Sequence, residues 1–314
     1  MKKEVVNRDE RVTDLLLAIQ QKNEDEIEKL LKFGIDVNAI YEDGFLRKSI
    51  YGPALELALH EEVEYYDIVP MLLSYGANPK MLSKNTINRL VKENEINIID
   101  ELIKAGLQII RDTKNEFGDK SEENYDILLA ALSEENSELV EIILSNGFDL
   151  TVYEEAGYIP LVARGVVLKS PEFTELILNY SGYDLNKPFR NDNRTLLVEA
   201  LKDNLIDTAL LLLEKGADPN ITDKIGFSPL YLAVRSKNTK VARVLLEKGA
   251  DPYFIYNGQT LIGLAAANAD YKMLELFKEF KVDLNASLPG RQKPIELVPN
   301  YDQFMTFMVL YQNK

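Results

Sequence analysis

Cysteine and tryptophan are absent from the 314 residues, histidine occurs once, and positive charge is scarce, with 36 Lys and Arg against 51 Asp and Glu and a net charge of −15. Each shortage closes off a chemistry. Without Cys there is no disulfide, thiol nucleophile or thiolate metal site. With His60 as the only imidazole, neither a histidine-based triad nor a His and Cys zinc cage can be assembled within one chain. The acidic balance argues against a duplex nucleic acid surface, which requires clustered Lys and Arg to neutralise phosphates. No apolar run approaches the roughly 18 residues of a membrane span. The opening MKKEVVNRDERV offers only Val5 and Val6 before charge resumes, which does not resemble a signal peptide. These absences predict a cytoplasmic protein with no membrane partner.

Motifs for catalysis are missing as well. The chain has no GxxxxGK(S/T) phosphate loop, no GxGxxG after a strand, no GxSxG elbow and no calcium-loop pattern. The reading is therefore no enzyme, no cofactor and no metal. His60, in LALHEEVEYYD, is expected to stabilise a turn or stand exposed rather than act as a base.

What is present is an ordinary globular composition, 46% hydrophobic and 28% charged, able to bury a sizeable core. The acidity is unevenly spread. Residues 1–157 hold 33 Asp and Glu against 17 Lys and Arg, a net of −16, whereas residues 158–314 hold 18 against 19. The densest stretch runs from Glu116 to Glu141, nine acidic residues opposed only by Lys120.

Residues 212–219 read LLEKGADP, and residues 245–252 read LLEKGADP again. The closing glycine recurs as Gly34, Gly76, Gly106, Gly147, Gly182, Gly216 and Gly249, and Lys281 takes its place in KVDLN. An apolar pair or triplet precedes nearly every one, and Asp or Asn follows most. A glycine just past a helix can adopt the left-handed conformation that stops it, and a Pro soon afterwards prevents its resumption. A second signal lies in DKIGFSPLYLAV, where Ser228 can cap a helix and Pro229 suits its first turn. Leu230, Leu232 and Ala233 are expected inward on this helix, with Val241, Val244, Leu245 and Leu246 inward on the next. The unit is turn, helix, turn, helix.

DKIGFSPLYLA and VARVLLEKGAD resemble the two signature segments of the ankyrin repeat family, DxxGxTPLHxA and VxxLLxxGADxN. Looser copies are YGPALELA at 51–58, GYIPLV at 157–162, NRTLLVEA at 193–200 and NGQTLIGLA at 257–265. The resemblance implies an all-α solenoid forming one domain over 1–314. Its nine repeats span approximately 1–34, 35–76, 77–106, 107–147, 148–182, 183–216, 217–249, 250–281 and 282–314, the terminal ones acting as caps. QQKNEDEIEKLLK is polar enough for the first cap. The last segment, YDQFMTFMVLYQNK, is read as a cap helix despite its apolar character. The His of the family's TPLH is missing throughout, replaced for example by Tyr231 and Glu56, so the hydrogen bonds it would make in the loop must be made otherwise or lost.

The resemblance further implies a monomeric, non-enzymatic protein that binds another protein on the concave face lined by finger loops and first helices. Two fingers are long, NAIYEDGFLRKSIYG and IIRDTKNEFGDKSEEN, and the unit between them is short, which predicts a notch flanked by two posts. Candidate contacts are Phe45, Arg47 and Tyr51 on the first post and Glu116, Phe117, Asp119, Glu122 and Glu123 on the second. Further along the fingers stand Tyr158, Phe227, Tyr253, Phe254 and Tyr256. Aromatics in a finger serve as binding anchors or pack between fingers. The charge predicts a partner with a basic surface. Two narrower readings accompany it: an inhibitor or immunity protein that covers a cationic toxin or nuclease, and a scaffold joining one partner at the acidic half to another at the neutral half.

Overall fold

A computed structural model describes residues 10–39, 53–111, 125–155, 161–283 and 309. It comprises two compact units, Met1–Phe148 and Asp149–Lys314. In the first, α1 (Glu10–Gln20) pairs with α2 (Glu24–Lys32), α3 (Ala54–Ala58) with α4 (Val69–Ser74), α5 (Lys84–Lys92) with α6 (Ile96–Lys104), and α7 (Ile127–Ser133) with α8 (Ser137–Ser145). The first helices stack on each other, α1 on α3 and α5 on α7, and so do the second helices α6 and α8. The second unit begins with α9 (Val152–Glu155), α10 (Gly165–Leu168) and α11 (Pro171–Ser181). It continues with the pairs α12 (Leu196–Lys202) and α13 (Ile206–Glu214), α14 (Pro229–Arg235) and α15 (Thr239–Glu247), and α16 (Leu261–Ala267) and α17 (Tyr271–Glu279). Here α12, α14 and α16 form one layer, and α11, α13, α15 and α17 the other.

Local chemistry explains these boundaries. The Ser228 hydroxyl accepts a hydrogen bond from the Tyr231 amide at 3.1 Å, and Pro229 occupies the first turn of α14, as the sequence predicts. Leu230, Leu232, Ala233, Val241, Leu245 and Leu246 are buried; each Leu or Val contributes about 1.5–3 kcal/mol. Val244 is only half-buried, contrary to expectation, and Ala242 takes the inward place. The apolar strip of α15 runs through 241, 242, 245 and 246, and at 100° per residue position 244 falls on its flank.

Helix pairs end where the recurring glycines predict. Gly216 and Gly249 have φ of 97° and 89°, a region that costs a residue with a Cβ about 1–2 kcal/mol. Lys281 holds the same place with φ 58° and no such relief. A second left-handed series, missed in the sequence, lies in the turn between the two helices of a pair: Lys22, Asn94, Glu135, Asn204, Lys237 and Ala269 all have positive φ, each one residue before an N-cap.

Where Asp and Asn follow the glycine, they tie one pair to the next. Asp218 Oδ1 accepts from the Asn220 amide at 2.8 Å, closing a local turn. Asn220 then bridges forward, its Nδ2 donating to the Gly249 carbonyl at 3.0 Å and its Oδ1 accepting from the Asp251 amide at 2.9 Å. Asn38 does the same toward Gly76 and Asn78.

At two of the places where the histidine is missing, other side chains make contacts of their own. Glu56, buried on α3, accepts from the Ser83 amide at 2.9 Å, the Ser83 hydroxyl at 2.8 Å and the Thr86 hydroxyl at 2.5 Å, so its carboxylate secures the N-terminus of the next first helix. Tyr231 makes ring contacts instead. His60 behaves as expected, Nδ1 accepting from the Glu62 amide at 3.2 Å in the turn after α3. In the short unit, a 3-10 turn at Pro79–Met81 leads almost directly into α5.

The helices dominate, with two small antiparallel ladders beside them: β1 (Ile110–Arg111) with β2 (Tyr125–Asp126), and β3 (Ile255–Tyr256) with β4 (Gln259–Thr260). The second is a hairpin whose turn residues, Asn257 and Gly258, have φ of 49° and 74°. Asn-Gly is the residue pair that such a turn favours. The C-terminal segment expected to form a cap lies outside the described residues apart from Val309, as do the long insertions at 40–52 and 112–124.

Candidate interaction surface

Of the residues expected to meet a partner, Phe45, Arg47, Tyr51, Glu116, Phe117, Asp119, Glu122, Glu123 and Tyr158 lie outside the described residues. The second long insertion is described at its base. There Arg111 extends over the Tyr125 ring at 4.7 Å and donates to the carbonyls of Leu82 at 3.1 Å and Lys80 at 2.5 Å, fastening the finger to the preceding unit.

Phe227 and Tyr256 are brought together. Phe227, just before α14, stacks on Tyr231 of that helix with centroids 5.3 Å apart, and Tyr256 from the next finger closes on both rings at 5.0 and 4.6 Å. Tyr256 also lies against Gly226, where an added Cβ would stand 3.7 Å from its ring. All three rings are half-buried. Tyr253 is separate and serves the stack itself, for it occupies the place that Asn220 holds one repeat earlier, and its hydroxyl accepts from the Asp283 amide at 3.3 Å. Phe254 is half-buried in the same turn, its amide donating to the Asp251 carbonyl at 3.4 Å.

Two cations stand against the Phe227 ring. Lys202, at the end of α12, stands 5.3 Å from the Phe227 centroid, and Arg235, at the end of α14, 5.6 Å from it. Lys202 also pairs with the buried Asp223 at 3.1 Å. Burial alone would raise the Asp223 carboxyl, but the Phe227 amide, the Lys202 ammonium and the Ile225 amide outweigh it and hold it below its ordinary value. The buried Glu199 receives Arg194 at 2.7 Å and Arg190 at 3.5 Å, and Arg194 also meets Asp192 at 2.6 Å. The sequence reading missed Lys202 and Arg235. Both are the last residue of a first helix, one 33-residue period apart, so aligning the repeats in columns would have placed them side by side.

In the first unit the described acidity gathers elsewhere than the fingers. Glu134, Glu135, Glu138 and Glu141 are exposed around the turn from α7 to α8, at the far end of α7 from β2. Glu61, Glu62 and Glu64 follow α3, and Glu93 is exposed at the end of α5. Among the described residues there is no group of His, Cys, Asp and Glu arranged to hold a metal, and no helix long and apolar enough to cross a membrane.

Stacked helix pairs with glycine-closed turns and finger hairpins define a repeat protein of the helical solenoid class. A family model described as ankyrin repeats matches in three copies, among them residues 128–223 and 160–255. The chain is an ankyrin repeat protein. It is similar to the fowlpox virus (strain NVSL) ankyrin repeat protein FPV024, 29% identical over 100 residues, which is 32% of this chain and 17% of that protein. It is also similar to ankyrin repeat, SAM and basic leucine zipper domain-containing protein 1 of Ornithorhynchus anatinus, 28% identical over 126 residues, 38% of this chain and 26% of that protein. The match therefore spans about a quarter or less of either relative. Among solved structures, the ankyrin repeat domain of Bcl-3 superposes with a TM-score of 0.53 at 17% identity, covering 74% of this chain and 99% of that one; this likeness bears on fold alone. Ankyrin repeats are generally protein–protein interaction modules.

Proposed function

We propose that this chain is a non-enzymatic binding protein, acting in the cytoplasm as a monomer, whose first unit recruits a partner with a basic surface. The observation that carries the reading is the acidity at the turn from α7 to α8 in that unit. Glu134, Glu135, Glu138 and Glu141 form no ion pair among the described residues, although they crowd one turn. Like charges at this density cost folding energy through mutual repulsion, and they speed encounter with a cationic surface. The position of these residues extends the proposed contact from the fingers to the turn edge of the first unit. The notch between the two long fingers remains part of the proposal.

The experiment is isolation of the tagged full chain from its native cells, followed by identification of the copurifying protein and its stoichiometry. An equimolar complex with a basic protein supports the reading; capture of only neutral or acidic proteins contradicts it. If the captured protein is an enzyme or toxin that loses activity in the complex, the inhibitor reading is the form the function takes. Retained activity together with a second bound protein points to the scaffold.

A further inference from the structure

The near-neutral count of the second half conceals an asymmetric surface. Asp192, Glu199 and Asp223 are each held by a cation of the same region, at 2.6, 2.7 and 3.1 Å, and Glu199 and Asp223 are buried. Lys224 and Arg235 are exposed and form no ion pair among the described residues. Close to the Phe227 ring these three anions are matched, while Lys224, in the same finger as Phe227, and Arg235, on α14, are not. Next to Arg235 lies apolar area, the half-buried rings of Phe227, Tyr231 and Tyr256, and Lys224 and the 58% exposed Ile225 precede Phe227 in the same finger. Rigid aromatic rings framed by Arg, with exposed aliphatic side chains beside them, are the composition of a binding hot spot, since large area is covered at small entropic cost.

We propose that this surface of the second unit is a docking site for an acidic peptide segment carrying an aromatic or branched aliphatic anchor. The anchor covers the three rings and Ile225; a carboxylate takes the Arg235 guanidinium in the two-bond geometry that Arg favours, and another meets Lys224. Charge complementarity selects this occupant. Single-stranded nucleic acid also stacks on aromatics, but it demands a track of several cations along its backbone, and here two uncommitted cations stand on a chain of net charge −15. The site is independent of the basic-partner reading, because it lies in the other unit and carries the opposite sign.

The test uses the full chain and fluorescence anisotropy with three labelled probes: the blocked peptide Gly-Glu-Asp-Phe-Glu-Leu-Asp-Gly, the same peptide with Lys at every acidic position, and a twelve-residue oligothymidylate. The expected result is that the acidic peptide binds at least tenfold tighter than the lysine peptide. The double substitution Arg235→Glu and Lys224→Glu, both on the surface, should weaken it at least fivefold while the far-UV circular dichroism spectrum stays that of the folded wild type. Substituting Ala for Phe and Leu in the peptide should cost a similar factor. Reversal of Glu134, Glu135, Glu138 and Glu141 to Lys should leave peptide binding intact, which separates this site from the basic-partner surface. Equal binding of the acidic and lysine peptides, tighter binding of the oligothymidylate, no measurable binding, or indifference to the double substitution would each overturn the proposal.

Discussion

Asp223 shows how much one side chain can do in a finger. Its Oδ1 accepts from the amides of Ile225 at 3.1 Å and Phe227 at 2.9 Å, while Oδ2 faces Lys202 at 3.1 Å, so it shapes the finger and holds a cation under the Phe227 ring. Its carboxyl titrates below the ordinary value. The folded state therefore gains stability from the ionised form above about pH 4 and loses it as pH falls through the depressed folded value. Asp223→Asn keeps an acceptor for the amides but sets a neutral amide against Lys202. It should cost roughly 1–3 kcal/mol at pH 7, and the gap from wild type should narrow below about pH 4; urea denaturation across a pH series checks this. A second residue, Ala269, carries φ 51° with a Cβ. Ala269→Gly should raise stability by about 1 kcal/mol, seen as a higher urea midpoint, because relief of the left-handed strain exceeds the added freedom of the unfolded chain. The sequence exposed the glycine series because glycine is a visible marker. The second left-handed series stayed hidden because Lys, Glu, Asn and Ala occupy it.

The forward-reaching asparagine is the part that converts helix pairs into a stack. Asn220 satisfies a carbonyl and an amide of the following repeat with one side chain. Asn220→Ala should therefore destabilise by about 1 kcal/mol, with the greatest loss of amide hydrogen-exchange protection at Asp251 and the residues around it. One repeat on, Tyr253 makes half of that bridge through its hydroxyl. Tyr253→Asn should preserve or raise the melting temperature, and a fall would show that the ring contributes packing beyond the bridge. The element pattern was legible in the sequence wherever local chemistry dominates: the caps, the glycines and the apolar faces of α14 and α15. The flank position of Val244 was less so, because VARVLLEKG fills more positions with apolar residues than the neighbouring helices can cover. The pairing of Phe227 with Tyr256 was open in the sequence between anchor and packing, and it depends on rings 29 positions apart meeting across two repeats.

For the molecule as a whole, charge is divided by unit rather than balanced throughout. The first unit leaves Glu134, Glu135, Glu138 and Glu141 in water at the turn from α7 to α8, while near the Phe227 ring of the second, Glu199 and Asp223 are paired and Lys224 and Arg235 are exposed. The count of charges was readable from the sequence, but which of them remain free depends on pairs such as Lys202 with Asp223, set 21 residues apart. This separation predicts two surfaces that respond oppositely to a change of partner charge and both weaken as salt shortens the screening length to a few ångströms. The most direct measurement is the stopped-flow association rate of the full chain with its copurified partner, at about 50 mM and about 500 mM salt, for wild type and for the variant with Glu134, Glu135, Glu138 and Glu141 changed to Lys. The account predicts at least a tenfold slower association at the higher salt and a wild-type rate at low salt that the variant fails to reach. Rates indifferent to both salt and charge reversal would contradict it.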